Sequence, residues 1–91
     1  MKKLTLKDVR SALYDMMIPA VRNVGEEDLA SADFWFDLGM DEQKVQLLIT
    51  NLERTHRIML TTEVSESLEM KNTVATLLHA ANSHLIDLEE N

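Results

Sequence analysis

Apolar positions along the chain recur at helical rather than strand spacing. Val9, Leu13, Met16, Met17 and Ala20 fall on one helical stripe. Ahead of them, Thr5-Leu-Lys-Asp8 predicts a capping box, in which hydroxyl and carboxylate serve each other's backbone donors. Pro19 has no amide proton and disfavours helical geometry at Ile18, so the first helix either kinks near Ile18 or stops there. Val45, Leu48, Ile49 and Leu52 sit at i, i+3, i+4 and i+7, the strongest helical signal present. Asp41 is placed to cap that second helix, and Arg54 and Arg57 lie near its C-terminal end, where cations suit the dipole. Met59 and Leu60 lead to Thr62, a predicted cap for a short acidic helix over Glu63–Glu69. Asn72 or Thr73 caps the last helix, whose stripe is Val74, Leu77, Leu78, Ala81 and Leu85. Residues 87–91 read as a frayed tail.

Between the first and second helices, residues 23–40 read as a long loop containing a short helical turn, with Leu29 as a buried anchor. Phe34, Trp35 and Phe36 stand together there, and with Tyr14 they are all the aromatic residues of the chain. Long structureless loops are uncommon in compact domains, so part of this cluster must pack down. Gly39 suits a left-handed position before the second helix. Glycine and proline are otherwise scarce, with only Gly25 and Pro19 in addition. An all-β chain needs more of them. The expected fold is therefore all-α: three main helices and one short one in a small bundle, with residues 1–91 as a single domain.

Charge narrows the function classes. The chain has 9 basic and 16 acidic residues and a formal charge of −7. Nucleic-acid binding needs lysine and arginine to replace phosphate counterions, and a polybasic membrane-surface module needs them too. Neither fits, so no nucleic-acid or membrane partner is expected. With no cysteine, disulfide frameworks, thiol nucleophiles and cysteine-ligated metals are excluded. The opening Met-Lys-Lys is not followed by the apolar run of a signal peptide, because Lys7, Asp8 and Arg10 interrupt it. A soluble cytoplasmic protein is the expectation.

One segment points to a family. Asp33-Phe34-Trp35-Phe36-Asp37-Leu38-Gly39-Met40-Asp41 resembles the loop pattern of acyl carrier proteins, a Phe followed by Asp-Leu-Gly-x-Asp-Ser-Leu. The apolar spacing of Val45–Glu53, the Thr73-Val74 helix start and Leu77/Leu78 are similar as well. The resemblance covers roughly residues 5–86 and implies an acyl-carrier-protein-like bundle. In that family the residue after the last Asp is a serine bearing a 4′-phosphopantetheine arm, which carries the acyl group. Here that position is Glu42, followed by Gln43 and Lys44 in place of a leucine and a commonly acidic residue. A carboxylate offers no hydroxyl to accept the arm. Ser31, Ser65 and Thr50 do not sit at a helix start behind a Gly-x-Asp. No phosphopantetheine is therefore expected.

Glu42 in a first helical turn is favoured by the macrodipole alone; a sharper reading has its charge stand in for the phosphate of the missing arm. Phe34 is expected to plug the bundle. Three adjacent aromatics cannot all face inward, which leaves Trp35 and Phe36 as contact candidates. The expected partner-binding residues are Trp35, Phe36, Asp41, Glu42 and Gln43. His56, His79 and His84 lack the spacing that sets two imidazoles on one helix face, so no metal or catalytic site is expected. The six methionines are read as core filling.

Three functions are compatible with this pattern. The first is a non-catalytic carrier-like module that docks to a biosynthetic enzyme or a carrier. The second is a working acyl carrier of fatty-acid or polyketide synthesis, loaded in a non-standard way. The third is a small helical protein holding a free lipid in its core. Residues 23–43 carry seven acids and no base, whereas residues 41–58 balance at zero. Acyl carriers usually present acid along the second helix. The expected partner face therefore moves to residues 26–42.

Overall fold

The computed structural model describes residues 2–89. Helix α1 spans Leu6–Asp15 and opens on the expected capping box: the Asp8 amide donates to Thr5 Oγ1 at 3.2 Å, and the Thr5 amide to Asp8 Oδ2 at 2.8 Å. Its end differs from expectation. The helix neither kinks at Ile18 nor reaches it. It closes in a Schellman motif, with the Met17 amide donating to the Tyr14 carbonyl and the Ile18 amide to the Leu13 carbonyl. The motif needs a left-handed residue, and Met17 supplies it with φ 59°. That turn throws Met17 out, to 84% exposure, and brings Ile18 in beside Leu13. Met17 therefore leaves the predicted stripe. Pro19 opens a 3-10 turn, Pro19–Asn23, where its missing amide proton costs nothing.

A second 3-10 turn, Leu29–Ser31, buries Leu29 as anticipated. Helix α2, Glu42–His56, follows Gly39, whose φ of 63° is the left-handed value anticipated. Val45, Leu48, Ile49 and Leu52 are all buried. The helix ends on Arg57, left-handed at φ 55°, just beyond the last turn that Arg54 occupies. Helix α3, Thr62–Met70, starts one residue earlier than predicted, with Thr61 rather than Thr62 in the cap position and no side-chain cap bond. At nine residues it is almost as long as the ten-residue α1, so the bundle has four comparable helices among the described residues rather than three and a short one. Helix α4, Val74–His84, is capped by Thr73, whose side chain accepts from the Thr76 amide.

Two strands escape helical periodicity. β1, Ile58–Met59, pairs antiparallel with β2, Ile86–Asp87, in the register Ile58↔Asp87 and Met59↔Ile86. Residues 87–89 are thus held rather than frayed; Glu90 and Asn91 lie outside the described residues. The Lys2 ammonium fastens the ribbon by donating to the His56 carbonyl at 2.7 Å and pairing with Asp87 at 3.3 Å and with Glu89. These acids hold the Lys2 pKa above its ordinary value, the Glu89 hydrogen bond contributing most. Asp87 is held below the usual carboxylate value, first by the Glu89 amide and then by Lys2. Nearby, Asn82 bonds Leu4 reciprocally, Oδ1 accepting at 2.7 Å and Nδ2 donating at 2.9 Å, which ties the N-terminal segment to α4.

One core joins these elements. Helix α3 packs on α4, and α1 packs on both α2 and α4. Phe34, Leu13, Leu48, Leu52 and Leu77 are fully buried in it. Met40 is buried and Met16 partly so, but Met59 and Met70 join Met17 at the surface, so core filling explains only some of the methionines. No helix among the described residues is long and apolar enough to cross a membrane.

Candidate functional site

The aromatic segment is built by its own carboxylates. Asp33 Oδ1 accepts from the Trp35 amide at 2.8 Å and the Phe36 amide at 2.9 Å, and Asp37 Oδ2 accepts from the Asp33 amide at 2.7 Å. These bonds wind residues 33–38 into a tight turn. Its outer edge is stitched to the start of α4: Asp33 bridges Thr73, the Phe34 amide donates to the Asn72 carbonyl at 3.0 Å, and the Val74 amide donates to the Ala32 carbonyl at 3.1 Å. Phe34 consequently points into the core at 0% exposure, while Trp35 is 53% and Phe36 88% exposed.

The same logic governs Asp41. Its Oδ1 accepts from the Lys44 amide at 2.8 Å, so its carboxylate is the N-cap of α2. Asp33, Asp37 and Asp41 thus bond backbone amides, and Glu26 faces Arg10 at 3.5 Å. These bonds fix the three aspartates in place without removing their charge, so residues 23–43 remain an acidic stretch. Glu42, like Glu27 and Asp28, is exposed and forms no ion pair among the described residues, and it alone of the three stands in the first turn of α2.

Trp35 and Glu42 meet at one cavity of about 270 Å³ between the aromatic turn, α2 and α3. Val45 and Leu68 form apolar parts of its wall, and Gln46, Ser65, Glu69 and Asn72 complete its lining. The other three predicted contact residues stay outside it. Phe36 projects into solvent, Asp41 caps α2 through Oδ1, and Gln43 lines a depression of α2 with Glu42, Gln46, Leu47 and Thr50.

Helix α2 is neutral in sum but divided in space. Lys44 and Arg54 border a groove with Met17 and Leu47 on the side facing the end of α1, while Glu42 lines both the cavity against α3 and the outer depression. Glu69 and Leu47 were not expected at a site. Leu47 is legible in hindsight, since Leu47-Leu48-Ile49 cannot all face inward on a helix. Glu69 carries no local signal, because only the packing of α3 brings it near Glu42. His79 and His84 are exposed and His56 partly so. No group of three or more potential metal ligands gathers among the described residues.

Comparison with protein-family models, with curated proteins and with solved structures gives no match.

Proposed function

We propose that this chain is a carrier-protein-like module that bears no phosphopantetheine and acts by docking to a biosynthetic enzyme or a carrier. The observation that carries the reading is the placement of Glu42. It follows an Asp-Leu-Gly-Met-Asp turn, stands in the first turn of the helix that Asp41 caps, and is exposed to solvent. In the family it resembles, the arm-bearing serine occupies that position. Two further features support the reading. The long connection from α1 to α2 ends in a turn whose Phe plugs the core, and the cavity beside Glu42 opens between α2 and α3.

A carboxylate at this point keeps a negative charge where the family has a phosphodiester, but cannot form the ester. The module is thus a recognition element without a cargo, and it performs no chemistry of its own. A fatty-acid headgroup entering this cavity would meet Glu42 and Glu69, which weighs against a lipid held at this point. The test is incubation of the purified chain with coenzyme A and a broad-specificity phosphopantetheinyl transferase, followed by intact mass. The expected mass is unchanged. A gain of one phosphopantetheine overturns the proposal.

A further inference from the structure

We propose that the groove between the end of α1 and α2 receives an acidic amphipathic helix of a partner protein. This names a partner chemistry for the docking module proposed above and rests on that reading. Three side chains that their own elements do not favour meet there. Met17 holds a left-handed backbone, φ 59°, where glycine is the easy residue, and the turn carries its side chain out to 84% exposure. Lys44 stands in the first turn of α2, where the helix dipole disfavours a cation. Leu47, one turn further along, is 59% exposed. All three line one open groove of about 350 Å³, together with Arg54 and the buried Ile18. Each alone is ordinary, but residues held against local preference on one surface mark that surface as functional.

Charge selects the occupant. No acidic residue lines the groove, and neither Lys44 nor Arg54 forms an ion pair among the described residues. Asp15 lines a separate hollow that shares only Asn51 with the groove. Lys44 and Arg54 are ten residues apart on one helix, hence about 15 Å apart along its axis. Leu47 lies between them. A partner helix laid along α2 meets both cations when it carries two carboxylates about three turns apart, and its apolar face then covers Met17 and Leu47. A compact anion would reach one cation at a time and leave the apolar residues uncovered. The groove shares no lining residue with the cavity at Trp35.

Carbon-13 methyl labels on methionine read the groove by nuclear magnetic resonance, since Met17 lines it while Met59 and Met70, also exposed, do not. The full chain is titrated in about 0.15 M salt, where charges more than about 8 Å apart are largely screened. The probe is an alanine-rich helical peptide with two glutamates about three turns apart and leucines between them. The same peptide with glutamine at both positions is the control. The glutamate peptide is expected to shift the Met17 methyl signal saturably, in about the millimolar range, and to leave Met59 and Met70 unmoved. The control peptide should bind about tenfold more weakly, as should the glutamate peptide on the Lys44→Gln/Arg54→Gln chain, checked for folding by circular dichroism. Equal binding of the two peptides, no saturable shift, shifts at Met59 or Met70 instead of Met17, or an unaltered double variant each overturns the inference. So does a Met17 shift that follows protein concentration without peptide, which assigns the groove to a second copy of the chain. None of these outcomes alters the mass measured after transferase treatment, so the docking inference and the carrier reading fail separately.

Discussion

Phe34 and Phe36 are two residues apart and identical in chemistry, yet the turn closed by Asp33 gives them opposite fates. Truncating each to alanine separates the effects. Phe34 is fully buried, and its backbone is bonded on both sides, its amide donating to the Asn72 carbonyl and its carbonyl accepting from Met40 at 2.9 Å. Removing its ring leaves a cavity where α4 meets the turn, at a cost of about 3–5 kcal/mol. A small domain holds about 5–15 kcal/mol in all, so this is a large share. With a urea m-value of about 1–3 kcal/mol/M, the unfolding midpoint should fall by about 2 M. Phe36 is 88% exposed, so Phe36→Ala should stay within about 0.5 kcal/mol of the parent. Urea titrations followed by far-ultraviolet circular dichroism read both. Phe34→Leu, which leaves a smaller void, should fall between them and keeps the comparison usable if the alanine variant does not fold. Equal midpoint shifts for the two alanine variants would refute the orientation assigned to the turn.

Other perturbations probe the remaining joints. Asp41→Ala removes the acceptor for the Lys44 amide and should cost about 0.5–2 kcal/mol, measured by thermal unfolding. Met17→Gly should stabilise by up to about 1 kcal/mol: a left-handed residue suits glycine, and the exposed Met17 side chain has little packing to lose, although the added freedom of the unfolded chain offsets part of the gain. A loss of stability there would argue against the Schellman ending. Asp87 has a lowered folded pKa, so its contribution is present above its unfolded pKa of about 3.9 and is lost as pH falls through the lower folded value. Asp87→Asn should therefore flatten the acid limb of stability against pH, whereas an acid limb identical to the parent's would show that the bonds Asp87 accepts from the Glu89 amide and Lys2 add no stability.

Much of the helical framework was legible because periodicity reports burial directly. The α2 stripe of Val45, Leu48, Ile49 and Leu52, the Thr5 box and the Asp41 cap are local patterns, and each lies where the pattern placed it. The end of α1 was misread because Pro19 is a conspicuous stop signal, whereas a Schellman motif with methionine at the position that usually takes glycine leaves none. The β1–β2 ribbon was invisible for a different reason. Two residues per strand are too few to alternate, and the two strands are brought together from positions nearly thirty residues apart. For the site, three adjacent aromatics did predict exposure at Trp35 and Phe36. Net charge was a poorer guide, because it does not say which carboxylates backbone amides hold in place, such as Asp33, and which have no such bond, such as Glu42.

The central claim is that α2 begins at a carrier attachment point altered at its serine. Restoring the hydroxyl tests it most directly. The Glu42→Ser chain, and the Glu42→Ser/Gln43→Leu chain that also rebuilds the following position, are incubated with coenzyme A and a broad-specificity phosphopantetheinyl transferase and weighed intact beside the parent. The carrier reading predicts an unchanged parent and a gain of one phosphopantetheine on at least one variant, lost again when the serine is replaced by alanine. A parent that gains the arm, or two folded variants that both fail to gain it, would contradict it.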